Sequence, residues 1–256
     1  MIHSSAIIDP SARLADDVEV GPWTVIGPDV EVGPGTKIHS HVVIKGPTKI
    51  GSRNHIYQFA SIGEDCQDKK YNGEPTQLQI GDYNVFREGC TVHRGTIQDN
   101  SITVIGSHNL FMANVHVAHD CIVGDNNILA NNCALAGHVH LGDFIILGGF
   151  TAVHQFCLIG SHSMCGAGSV VLKDIPAFVM SNGNSAQPHG INAEGLRRRG
   201  FSAAAIQNIK RAYKIIYRQG LKLDEAIAEL EPLVLETPEL KLLSDSLKAS
   251  TRGIIR

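Results

Sequence analysis

From Ile8 to Ile62 every sixth residue is a branched aliphatic: Ile8, Leu14, Val20, Ile26, Val32, Ile38, Ile44, Ile50, Ile56 and Ile62. An amphipathic helix repeats at about 3.6 residues and a half-buried strand at about two, so neither produces this beat. A chain that coils on itself in short, equal edges does. The beat returns at Ile80, Phe86 and Val92, shifts by one residue, and runs from Ile105 through Phe111, Val117, Val123, Leu129, Leu135, Leu141, Leu147, Val153, Ile159 and Cys165 to Val171. Pairs such as Gly21-Pro22, Gly27-Pro28 and Gly33-Pro34 read as repeated corners. The periodicity alone predicts a parallel β-solenoid.

Four residues after the aliphatic the side chain is usually small or β-branched, as at Thr24, Thr36, Val42, Ala60, Val139, Thr151 and Ser163. Five of the six cysteines, Cys66, Cys90, Cys121, Cys133 and Cys157, fall at that position, and Cys165 fills an aliphatic slot. They read as small buried hydrophobes, not as disulfides or metal ligands. This pattern resembles the hexapeptide-repeat proteins, and the resemblance implies that the coil is left-handed. Ordinary parallel crossovers are right-handed.

Two stretches break the beat: Asp65 to Pro75, polar with a Gly and a Pro, and a shorter one near Gln98 to Ser101. Both are expected to leave the solenoid as loops, where binding residues tend to sit. After Val171 an exit segment is expected, then helix formers. Ser202 is a plausible N-cap for a helix to about Gln219, stopped by Gly220; Leu223 to Glu231 and Pro238 to Ala249 read as two more. The expected division is a β-helix over 1–189 and a small α-helical domain over 190–256.

A chain of 256 residues that is 43% hydrophobic can bury a substantial core. Its net charge of −3 gives no overall attraction to nucleic acid. It has no apolar run of spanning length, and Met1 to Ser4 lacks the basic and apolar regions of a signal peptide, so a cytoplasmic protein without membrane insertion is expected.

Three six-residue edges make an 18-residue coil, so residues that far apart stack at about the 4.8 Å spacing of neighbouring strands. His119, Gly137 and Gln155 then form one column, flanked by Ala118, Asp120, Ala136, His138, His154 and Phe156. One corner thus gathers three histidines, a carboxylate, an amide and a glycine. A neutral imidazole can take a proton from a hydroxyl, a carboxylate can orient it, and a glycine N–H can donate to an oxyanion. Acyl transfer to a substrate hydroxyl suits all three. Asp120 serves His119 only if the corner turns both outward, because consecutive strand residues point to opposite faces. The competing use is zinc, as in β-helix carbonic anhydrases, which carry histidines five residues apart; no two of the 13 histidines here have that separation.

Several strings carry a closer match: Ile56 to Glu64, Lys70 to Pro75, Val92-His93-Arg94-Gly95-Thr96, Ala118 to Cys121, Leu135 to Val139, Val153 to Phe156, Asn192 to Phe201 and Ser250 to Arg256. Over nearly its whole length the chain resembles the UDP-N-acetylglucosamine O-acyltransferases of lipid A synthesis. The resemblance implies a homotrimer with sites between subunits, and transfer of an (R)-3-hydroxyacyl group from acyl carrier protein to the 3-hydroxyl of UDP-N-acetylglucosamine. No cofactor is implied, since the carrier protein brings the acyl thioester as co-substrate, and no metal. His119 then matches the general base, Asp120 its orienting carboxylate and Gly137 the oxyanion donor. Asp68, Lys70, His116, His138 and Gln155 match sugar and diphosphate contacts, Asn192, Glu194 and Arg199 nucleotide contacts, and Ala167 the residue that sets acyl length.

The stripe Lys210, Lys214 and Arg218 with Arg211, extended by Arg197 and Arg198, reads either as a solvated helix face or as a dock for the acidic carrier protein. Alternatives at this point are another hexapeptide-repeat acyltransferase, N-acylating or acetyl-CoA-dependent, a β-helix carbonic anhydrase, and a noncatalytic scaffold. The N-acylating relative carries a separate N-terminal domain, whereas here the repeat begins by Ile8.

Overall fold

The computed structural model describes residues 1–256. Its 27 strands, most of them two residues long, stack into three walls of nine, eight and ten strands. Wall one holds strands from Ile7–Ile8 to Val170–Val171, wall two from Arg13–Leu14 to Leu158–Ile159, and wall three from Glu19–Val20 to Gln187–Ile191. Within wall one His116 pairs with Ala134, Ala134 with Ala152, and Ala152 with Val170. That is the 18-residue step read from the sequence. It lengthens where the loops intervene, so that Ser61 pairs with Thr91 and Thr91 with His116.

The beat residues fill the prism. Ile26, Ile44, Ile62, Val117, Leu135, Val153 and Val171 are all buried in one core, and the second residue of each strand pair points inward while the first faces out. All six cysteines are buried free thiols. Burial pushes the Cys121 thiol up to about 12 and that of Cys90 to about 11, so both stay protonated and unreactive.

The corners differ from a simple Gly-Pro reading. The left-handed residue is the one after the proline or its equivalent: Trp23, His41, Asn114, Asp120, His138, Phe144, Phe156 and His162 have φ between 54° and 64°. The glycine serves close approach instead. A Cβ at Gly21 would lie 2.7 Å from the His39 carbonyl carbon of the next coil, a distance only hydrogen can occupy.

Each wall is closed at its C-terminal end by chain that leaves the six-residue pattern. Wall three ends in strand Val179–Asn182 and the antiparallel strand Gln187–Ile191. Asn184 bridges to Val170 on wall one, and Ile254 bridges to Asp174, which follows wall two. The exit segment expected after Val171 therefore contains a hairpin, and the boundary expected at 189/190 falls inside its second strand. Alternating burial in Val179–Asn182 shows why: Val179 and Ser181 continue the inward face of the wall.

Four helices follow: α1 (Ala193–Arg198), α2 (Ala203–Arg218), α3 (Leu223–Glu236) and α4 (Lys241–Lys248). Ser202 caps α2 by accepting the Ala205 N–H. The second helix expected at Leu223 to Glu231 instead runs on through Pro232 to Glu236. Leu230 and Leu233 pack in the helical core with Ile209, Ile216 and Phe178, and that burial outweighs the donor lost at Pro232. No helix is long and apolar enough to cross a membrane.

Candidate active site

The corner between walls one and two carries the stacked column. Asp120 occupies the left-handed position with φ 57°, which breaks the strand alternation and tucks its carboxylate under the corner. The condition that both side chains turn outward proves unnecessary: Asp120 is 2% exposed, yet it meets His119, which lines the surface clefts. Asp120 Oδ2 accepts from His119 Nδ1 at 2.9 Å and from Thr96 Oγ1 at 2.6 Å, while the Thr96 N–H spans both carboxylate oxygens at 2.9 and 3.0 Å. The Asp120 N–H donates to Thr103 Oγ1 at 2.8 Å.

Burial alone would raise the Asp120 carboxyl, but the hydrogen bonds from His119 and Thr96 outweigh it and hold the group below its ordinary value. An ionised carboxylate only accepts, so His119 carries its proton on Nδ1 and leaves Nε2 with a free lone pair. That nitrogen faces Gly137. A Cβ at Gly137 would stand 2.5 Å from His119 Cε1 and 2.7 Å from Nε2, so glycine keeps the approach to the base open. The amides of residues 119, 137 and 155 donate to no protein acceptor. These corner amides are therefore unpaired within the chain, and Gly137 lies against the His119 ring.

His138 packs edge-on to His119 with ring centroids 5.0 Å apart and stacks on Phe156 at 4.3 Å. Its Nδ1 bonds to Asp99 Oδ2 at 2.9 Å. His119, Asp120 and His138 offer ligand atoms within 4.8 Å of one another. Asp120 Oδ2 is already engaged by Thr96 and His119, and His138 Nδ1 by Asp99, so these atoms are committed within the protein.

Two clefts meet at His119. The polar one, about 710 Å³, is lined by Asp68, Lys70, Asp99, His138 and Gln155. The other, about 400 Å³, has a more apolar lining that includes Ala118, Ala136 and Val153, together with His93, His116 and Gly137. His116 Nδ1 bonds to Thr91 Oγ1 at 2.8 Å, and its ring meets His93 edge-on at 4.9 Å.

Asp68, Lys70, His116, His119, Asp120, Gly137, His138 and Gln155 thus come together within one chain. The others do not. Ala167 is exposed at the corner between walls three and one. Arg199 lies at the third corner, its guanidinium 5.2 Å from the Phe144 ring centroid and Nη1 3.5 Å from His162 Nδ1. Burial lowers its pKa, and it pairs with no carboxylate. Asn192, beside it, is buried and committed: Oδ1 accepts the Gly195 N–H to cap α1, and Nδ2 donates to the His162 carbonyl at 3.1 Å. Glu194 pairs with both Arg197 and Arg198. Lys210, Arg211, Lys214 and Arg218 make no ion pair and line a groove of about 530 Å³ along α2 with Tyr213 and Ile191.

Thr96, Thr103 and Asp99 escaped the sequence reading. The first two lie beside the frame slip and the third inside it, where the 18-residue ruler does not apply.

Known proteins fit this architecture closely. The family described as Udp N-acetylglucosamine O-acyltransferase, domain 2, matches residues 174–255, and bacterial transferase hexapeptide (six repeats) matches residues 102–137. The acyl-[acyl-carrier-protein]–UDP-N-acetylglucosamine O-acyltransferases of Stutzerimonas stutzeri and Pseudomonas aeruginosa are 59% and 57% identical, in alignments covering 100% of this chain and 99% of each of them. The solved structure from Acinetobacter baumannii, 57% identical, superposes with a TM-score of 0.98 over 100% of this chain and 99% of that one. The UDP-N-acetylglucosamine acyltransferase from Arabidopsis, 36% identical, does so at 0.85 with the same coverage. The fold is accordingly the left-handed parallel β-helix of hexapeptide repeats with short C-terminal helices. Full-length identity of this order leaves one conclusion: the chain belongs to the UDP-N-acetylglucosamine O-acyltransferase family.

Proposed function

We propose that this chain moves an (R)-3-hydroxyacyl group from acyl carrier protein to the glucosamine 3-hydroxyl of UDP-N-acetylglucosamine, the first step of lipid A synthesis, in the cytoplasm. The observation that carries the reading is the His119–Asp120 dyad, its free Nε2 set where a polar cleft meets a more apolar one. The sugar nucleotide takes the polar cleft, and the acyl thioester the other.

His119 Nε2 removes the proton as the 3-hydroxyl oxygen attacks the thioester carbon, with Asp120 stabilising the imidazolium. The new C–O bond leaves an oxyanion, to which the Gly137 N–H donates. On collapse the C–S bond breaks, and His119 returns its proton to the carrier thiolate. No enzyme nucleophile and no resident cofactor or metal takes part.

Asp68, Lys70, His138 and Gln155 hold sugar and diphosphate, with His116 flanking the base. Because Ala167, Asn192, Glu194 and Arg199 occupy the other two corners, they serve a neighbouring subunit's site in a homotrimer: Ala167 limits acyl length, and the unpaired Arg199 takes the diphosphate. The carrier protein docks along Lys210, Arg211, Lys214 and Arg218, with Arg197 and Arg198 at its margin.

The test is a transfer assay with purified carrier protein charged with hydroxyacyl chains of several lengths. His119→Ala is expected to remain a folded oligomer and to lose at least ~100-fold in turnover. Near-normal turnover would overturn the mechanism.

A further inference from the structure

Arg94 follows strand Thr91–His93 and is 6% exposed. A guanidinium this deep needs a carboxylate partner and satisfied hydrogen bonds, and Asp65 supplies the carboxylate. Here it grips the root and middle of the loop between Glu64 and Gln77. Nη1 donates to the Gly63 carbonyl, and Nη2 donates to Asp65 Oδ1 and to Tyr71 Oη at 3.1 Å. Tyr71 Oη lies 3.2 Å from both Asp65 Oδ1 and the Glu74 carbonyl, two acceptors at the loop's two ends that share its single proton. Arg94 Nε has no partner, so all the side chain's hydrogen bonds run through its forked end.

Between these anchors stand Asp68 and Lys70, braced by the Lys70 N–H to Asp68 Oδ1 at 2.9 Å and the Tyr71 N–H to the Asp68 carbonyl at 3.0 Å. Both line the polar cleft, whereas Arg94 lines neither cleft. Two residues beyond Arg94, Thr96 holds Asp120. A Cβ at Gly95, between them, would stand 2.2 Å from the Ile102 N, so this stretch has no slack.

From this geometry we infer that Arg94, through Asp65 and Tyr71, is a positioning residue that holds the Asp68–Lys70 loop across the cleft and so sets affinity for the sugar nucleotide. The inference rests on the assignment of that cleft to the sugar nucleotide. Arg94 touches no reacting atom, so its loss weakens acceptor binding more than it slows transfer.

The test uses the full-length protein and four variants: Arg94→Gln, Arg94→Lys, Asp65→Asn and Tyr71→Phe. The last two alter an exposed and a half-buried side chain of the loop and spare the prism, so they decide the matter even if Arg94→Gln fails to fold. Each is expected to raise KM for UDP-N-acetylglucosamine, by about tenfold for Arg94→Gln and less for Arg94→Lys, with kcat changed by less than about threefold. Each is also expected to speed tryptic cleavage after Lys69 and Lys70. Unchanged KM and cleavage in Asp65→Asn and Tyr71→Phe overturn the inference, as does a fall in kcat at unchanged KM. A parent protein that transfers no acyl group sinks the functional reading instead, and the cleavage rates still report on the strut.

Discussion

Burial keeps His93, in the more apolar cleft, and His162, at the third corner, neutral. His93 is pushed down to about 4 by desolvation with His116 adding to it, and His162 to about 4 by desolvation with Arg199 adding to it. The unfolded chain titrates these rings near 6.5, so between that pH and 4 it binds more protons than the folded chain. Their contribution is complete above pH 6.5 and fades as the pH falls toward 4. Asp120, held below its ordinary value, acts in the same direction at lower pH. The urea midpoint is expected to drop between pH 7 and pH 5. His162→Phe, in a ring stacked between Phe144 and Phe178, is expected to flatten that dependence; an unchanged slope counts against the account. The same scale shows what a sequence can reveal of a site. His119, Gly137 and Gln155 were legible because coil arithmetic stacks them. Thr96, Asp99 and Arg94 were not, because loops interrupt the count between them and their partners.

Among the elements, α2 was legible from Ser202 and Gly220, since a cap and a stop signal are local. The Val179–Asn182 and Gln187–Ile191 hairpin was not: its strands are specified by the wall they extend, not by a beat of their own. Helix α3 runs on past Glu231 because tertiary burial overrides the local breaker at Pro232. The face of α2 permits a sharp test. None of its four cations joins a salt bridge, and Arg211 bonds to the neutral Asn208 Oδ1, so their charge is left for an acidic partner. Reversing Lys210 and Lys214 to Glu is expected to raise the apparent KM for charged carrier protein by about tenfold or more at low ionic strength. The gap should close at high salt, where the Debye length contracts. Steady-state kinetics at two salt concentrations checks this, and equal constants would remove the carrier from this face.

For the whole molecule, the prism form and its step were written in the aliphatic beat, while the sorting of site residues onto three corners emerges only when the coil is closed. That sorting predicts complementation. His119→Ala and Arg199→Ala are each expected to be weakly active alone, and trimers mixed from the two by co-expression are expected to regain activity, because some sites then combine an intact base with an intact neighbouring arginine. Transfer assays on the purified mixture check it, and activity no higher than the average of the parents would argue that each site is built by one chain. The seal on the prism has a further consequence for biosynthesis. Asp174 acquires its bridge to Ile254 only once the whole helical segment has been made. The nascent prism thus leaves the ribosome with an unpaired parallel edge on wall two, a template for another emerging chain. The helices that separate Asp174 from Ile254 set how long that exposure lasts, so elongation speed through α2 to α4 bears on solubility without changing a residue of the folded protein.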